Sequence, residues 1–218
     1  MQRTGELFGH FQTMEQQKDA ATLGMWIFLS TEVLFFGGLF LNYTINRHTY
    51  PAVFADASKS LSLQLGATNT LVLIASSFTM AMSVWCAQKG KKKLIPLFLL
   101  LTLILGCTFL GIKGIEYHDK YVEHHIPGLS FELAPGADVA TNAHAELYFS
   151  LYFGMTGLHA LHMVVGVGLL CWLLKEALRG RFTPEYNTPV ENIGLYWHFV
   201  DIVWIYLFPL LYLIDRHK

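Results

Sequence analysis

Five long apolar stretches constrain this chain more than any other feature. They lie at roughly 23–45, 67–87, 94–114, 147–174 and 193–214, and each approaches or exceeds the roughly 20 residues that a helix needs to cross a hydrocarbon core of about 30 Å. The composition agrees: 53% of the 218 residues are hydrophobic and 14% charged, with a mean hydropathy of +0.40. Backbone polar groups in lipid must be satisfied within the segment itself, so such stretches fold as helices. The expected fold class is therefore all-α, a polytopic membrane bundle of five transmembrane helices. The whole chain, 1–218, reads as one membrane domain. Its polar connections, about 46–65 and 115–146, are too short to bury a core of their own.

Residues 1–21 are polar and mixed in charge, without the apolar core and cleavage site of a signal peptide, so the first span is expected to be retained. The connection AQKGKKKL places Lys89, Lys91, Lys92 and Lys93 between two spans, and short cationic loops stay on the cytoplasmic side. Alternation then puts residues 1–21 inside, 115–146 outside and the C-terminus outside. Lys175, Arg179 and Arg181 fall inside, in agreement. A net charge of −1 gives no basic footprint for nucleic acid. The three cysteines, Cys86, Cys107 and Cys171, are far apart in or beside apolar spans and are expected to be small packing residues.

Ionisable groups at membrane depth are costly, and each is a functional candidate. Glu32 sits in WIFLSTEVLFFGGLF, His159 and His162 in YFGMTGLHALHMVVGVG, and His198 and Asp201 in YWHFVDIVWI. Lys113 and Glu116, three apart in GIKGIEY, are expected to pair on one helix face at the water boundary. His159/His162 and His198/Asp201 have the same spacing. Three mid-span histidines are too few for a protein carrying several haems or copper, so no metal is assigned. The expected arrangement is a buried polar network of His159, His162, His198 and Asp201, with His198 bonded to Asp201. Gly154, Gly157, Gly166 and Gly168 are expected to let helices approach closely. Trp197, Trp204, Tyr196 and Tyr212 serve as boundary anchors or bundle filling.

Glu32 has Phe28, Leu29, Phe35 and Phe36 as helical neighbours and no basic residue one turn away. A carboxyl kept near neutral there could handle protons, reach lipid head groups through water, or bond to Ser30, Thr31 or another helix. His118, His124, His125 and His144 are expected to belong to a solvated outer loop rather than a metal site. No internal repeat of fixed period is present.

Five motifs in order, WIFLSTEVLFFGGLF (26–40), NTLVLIASSFTMA (69–81), GIKGIEY (111–117), YFGMTGLHALHMVVG (152–166) and YWHFVDIVWIYLF (196–208), make the chain resemble the cytochrome c oxidase subunit 3 family, that is, subunit III of the haem-copper terminal oxidases. The likeness runs from about Trp26 to Tyr212 and is to the short, five-helix form, without the two further N-terminal helices of longer members. It implies a non-catalytic subunit that binds no redox cofactor itself, with haem and copper in partner subunits I and II. It also implies phospholipid binding, steadying of the catalytic core and support of proton uptake. The family's carbodiimide-reactive glutamate falls on Glu32, its Glu-Tyr pair on Glu116 and Tyr117, its two histidines on His159 and His162, and its Trp-His-x-x-Asp on Trp197, His198 and Asp201. The expected setting is the bacterial cytoplasmic membrane, in contact with lipids and with cytochrome c or another respiratory complex. Subunit III of a quinol oxidase, a protein accompanying a nitric oxide reductase, and a stand-alone proton-coupled transporter are the alternatives.

Overall fold

A computed structural model describes residues 9, 11–123, 125–128, 131 and 139–214; His124 and most of the first ten residues lie outside this set. The described residues form six helices: α1 (Met14–Thr49), α2 (Pro51–Lys59), α3 (Leu63–Gln88), α4 (Ile95–Val122), α5 (Val139–Leu178) and α6 (Thr188–Tyr212). All except α2 are long and apolar enough to span a membrane. The chain is an all-helical, multi-pass membrane protein.

The helices overrun the apolar stretches because their ends are set by caps rather than by hydropathy. Thr13 caps α1 by accepting from the Gln16 amide, while the Gln16 side chain accepts from the Gln12 amide, a variant of the reciprocal capping box. Helix α1 therefore begins nine residues ahead of the expected span, inside the polar N-terminal segment. Residues 115–122 and 139–146, expected to be loop, are likewise helical in α4 and α5. Helices α3 and α5 end alike. Gly90 and Gly180 take positive φ, 66° and 69°, and the following amides of Lys91 and Arg181 return to the carbonyls of Cys86 and Glu176. This glycine-terminated hydrogen-bond pattern stops a helix sharply.

Helix α6 is central, packing against α1, α2, α3 and α5. Its anchor is Trp197. The indole lies where Cβ atoms on Gly106 of α4 and Gly166 of α5 would come within 2.7 and 2.8 Å of it, and its Nε1 donates to Ser76 Oγ of α3 at 3.0 Å. One side chain thus locks four helices. Of the four glycines expected at close approaches, Gly166 is one, Gly157 has only ordinary contact with Tyr117, and Gly154 and Gly168 face open space. Gly66 and Gly194 are also tight, against Tyr212 and Val84.

At the far end of α6, the carbonyls of Leu210 and Leu211 belong to the last turn and lack helical partners. Tyr43 of α1 and Tyr148 of α5 donate to them at 2.8 and 3.0 Å. The short α2, which begins at Pro51 and whose mixed composition hid it in the sequence, seats Phe54 against both tyrosines. Helix α1 itself touches the bundle along a narrow seam, burying Leu29, Phe36 and Tyr43 at seven-residue intervals. The cysteines divide: Cys86 is buried, as a packing residue should be, but Cys107 and Cys171 are exposed.

A branched side chain cannot enter the Trp197 clamp without displacing a rigid indole. Gly166→Val is therefore expected to destabilise the protein by about 1–3 kcal/mol, whereas Gly168→Ala, one turn-half away in open space, should be neutral or slightly stabilising. Thermal unfolding of the detergent-solubilised protein checks both.

Candidate functional site

Two polar centres stand out inside the bundle. The first is built on Lys113 and Glu116, which lie on one face of α4. They are enclosed by the bundle rather than open to solvent: their residues are 3% and 2% exposed. The Lys113 ammonium has three N–H donors, and all three are used, on Glu116 Oε2 at 2.8 Å, Tyr212 OH at 2.7 Å and Tyr152 OH at 3.0 Å. Both phenols then donate to Glu116 Oε1, Tyr152 at 3.0 Å and Tyr212 at 2.5 Å. The pair is thereby closed by one tyrosine from α5 and one from α6. Next to it, Tyr117 bonds Thr156 at 2.6 Å.

The second centre joins α1 to α5. Glu32 Oε2 lies 3.2 Å from His162 Nε2, with the two side chains 18% and 14% exposed. His162 Nδ1 is 2.9 Å from the Leu158 carbonyl, and Tyr196 of α6 donates to the His162 carbonyl at 2.9 Å. Phe36 packs edge-on against the imidazole.

The single network expected of His159, His162, His198 and Asp201 does not form. Residues three apart are offset by about 60° around a helix, enough to send His162 toward α1 and His159 into the interior, between Phe109 and Trp204. The expected His198–Asp201 bond is absent as well. His198 Nδ1 reaches across to Ser77 Oγ of α3 at 2.7 Å instead. Neither ring nitrogen of His159 completes a hydrogen bond among the described residues, and Asp201, without a bond of good geometry, faces the same Ser77 hydroxyl that pairs with His198.

Among the described residues, no three His, Cys, Asp or Glu side chains come together as a metal site. Of the outer histidines, His124 lies outside the described residues and His118 is exposed, whereas His125 and His144 pack against aromatic rings. His125 stacks on Phe149 and pairs with Glu123, which also binds Lys120, and His144 stacks on Tyr50 at 3.8 Å. Burial opposes ionisation of Glu123, but the hydrogen bond and charge of Lys120, reinforced by His125, outweigh it and hold the carboxyl below the usual carboxylate range.

The residues that sequence reasoning missed are hydroxyl bearers: Tyr152, Ser76, Ser77, Tyr43 and Tyr148. The available signal was weak but real, since a tyrosine or serine deep in an apolar helix needs a partner for its hydroxyl.

Removing one member of a closed buried pair strands the other charge. Lys113→Met and Glu116→Met are each expected to cost about 3–5 kcal/mol, while the Lys113→Met/Glu116→Met double variant should cost much less than the sum. Recovery of folded protein and its thermal midpoint for the four members of the cycle measure this.

With that geometry in hand, the comparisons with known proteins point one way. The sequence profile of the family described as Cytochrome c oxidase subunit III matches residues 1–215. The chain is 34% identical to a protein of Nocardia farcinica named probable cytochrome c oxidase subunit 3, over 88% of this chain and 87% of the relative. It is 31% identical to cytochrome c oxidase subunit 3 of Thermostichus vulcanus, over 92% and 90%. It is also 31% identical to a protein of Staphylococcus haemolyticus named probable quinol oxidase subunit 3, over 88% of each. Matched along nearly its whole length, the chain belongs to the cytochrome c oxidase subunit III family, the third subunit of the haem-copper oxidases.

Proposed function

We propose that the chain serves a proton-pumping terminal oxidase that draws electrons from cytochrome c and reduces oxygen to water. In this reading it is a non-catalytic subunit that packs against subunits I and II, which hold the haem and copper, and it binds phospholipid along its apolar surface. The single observation that carries the reading is the family match over residues 1–215. The abundance of exposed apolar side chains on α1, among them Leu23, Trp26, Ile27, Val33 and Leu34, supports a lipid or subunit contact there.

Glu32 is read as the proton-related carboxylate, and the Lys113–Glu116 centre as the device that holds the bundle rigid while the partner turns over. One end of the bundle collects the start of α1 with the loops on either side: Glu191 at the start of α6 meets Lys18 and Gln88. That end carries Lys89, Lys91, Lys92, Lys93, Arg179 and Arg181, which supports a cytoplasmic N-terminus and an outer 115–146 segment, and the bacterial inner membrane is the setting proposed with them. A second reading, subunit III of a quinol oxidase, is favoured by the staphylococcal relative's name. A neighbouring subunit II with a binuclear copper site supports the first reading, and one without it the second.

The test is to tag the chain, extract it in mild detergent, identify the co-purifying subunits and record optical spectra before and after dissociation. Haem absorbance should leave with the partners; haem that stays on this chain alone contradicts the reading. In the same preparation, Glu32→Gln should retain subunit and haem content while oxygen reduction declines over successive turnovers that the unaltered enzyme sustains. Loss of assembly would instead assign Glu32 to packing.

A further inference from the structure

The hydrogen bonds around His162 determine where its protons are. Nδ1 faces the Leu158 carbonyl at 2.9 Å, and a carbonyl only accepts, so Nδ1 carries a hydrogen. In the neutral ring this leaves a bare lone pair on Nε2, which is 3.2 Å from Glu32 Oε2. An ionised carboxylate likewise offers only lone pairs. Two lone pairs facing each other at that distance repel, and an isolated carboxylate at membrane depth is costly in its own right. A proton between the two atoms removes both penalties. It can sit on the carboxyl, which then donates to Nε2, or on Nε2, which then donates to the carboxylate.

Among the described residues, the neighbouring polar groups are committed elsewhere. Ser30 and Thr31, the hydroxyls nearest to Glu32 in sequence, donate to the carbonyls of Trp26 and Phe28 on their own helix. From α6 the titratable group that faces the pair is Tyr196, whose hydroxyl is committed to the His162 carbonyl. On α5 itself, His159 points the other way, against Phe109 and Trp204. Among the described residues, Glu32 has His162 as its one ion-pair partner within 4 Å.

We propose that Glu32 and His162 form a joint one-proton unit, in which the proton passes between Glu32 Oε2 and His162 Nε2 while the pair stays net neutral. In the forward step the O–H bond breaks, its electron pair remains on the carboxylate, and the N–H bond forms on the Nε2 lone pair; the reverse step restores the acid. His162 is thus a positioning residue that holds a proton on or beside Glu32. This deepens, and rests on, the reading of Glu32 as a proton-related group.

The test uses the assembled oxidase, prepared with carboxyl-labelled glutamate, and infrared difference spectra of the unaltered enzyme against Glu32→Gln. The expected result is a Glu32 signal of a protonated carboxyl or of a carboxylate matched by an imidazolium, shifted in D₂O. His162→Phe should move that signal to an unpaired carboxyl, and His162→Gln should restore part of the hydrogen-bond shift. An ionised Glu32 with no imidazolium counterpart, or a signal that His162→Phe leaves in place, overturns the shared proton. Turnover separates the two readings. If Glu32→Gln sustains its rate, the proton-supply role fails, while the spectrum alone decides whether the pair holds its proton jointly.

Discussion

An ammonium and a carboxylate cannot be left inside a membrane bundle half satisfied, and this requirement organises the structure. Lys113 and Glu116 bring a charge pair onto a face of α4 that the surrounding helices close off from solvent. Tyr152 and Tyr212 complete every donor of the lysine and then return to the carboxylate. Because the phenols come from α5 and α6, the closed cluster sets the height of three helices relative to one another. Buried polar groups of this kind are favourable only when complete, so a slip of one helix past another would open several bonds together. Trp197 performs the complementary steric task further along α6, where glycines on α4 and α5 leave a slot for its indole.

The Glu32–His162 contact has a different character. It is a single contact between α1 and α5 beside a narrow apolar seam, not a saturated cluster. Its two side chains retain partial exposure where those of Lys113 and Glu116 do not. A group meant to exchange protons needs an open flank, whereas a group meant to hold helices together needs none. In the function proposed above, the two centres divide the work of the subunit, with rigidity assigned to α4, α5 and α6 and proton chemistry to the α1 face.

How much of this was legible in the sequence depended on the range of the interaction. The five spans could be read because hydropathy is a local signal, and GIKGIEY revealed its ion pair because residues three apart share a helix face. The depth of that pair could not be read, since it is decided by phenols 39 and 99 residues downstream of Lys113. Helix ends were misplaced for a related reason: Thr13 and Gly180 terminate helices by hydrogen bonding, which an apolar run does not record. His198 and Asp201 had the right spacing to bond each other, but spacing along one helix carries no knowledge of Ser77 on another. Gly166 and Gly168 look alike in sequence, and only the position of Trp197 separates a tight contact from open space.

The claim on which the account rests is that Lys113 is sealed within the bundle, and amine reactivity tests it directly. In the detergent-solubilised native complex, a water-soluble acylating reagent followed by peptide mass spectrometry should label Lys59, whose side chain is 59% exposed, and leave Lys113 unmodified until the protein is unfolded. Labelling of native Lys113 at a rate comparable to Lys59 would place the ion pair at the water boundary and contradict the closed cluster.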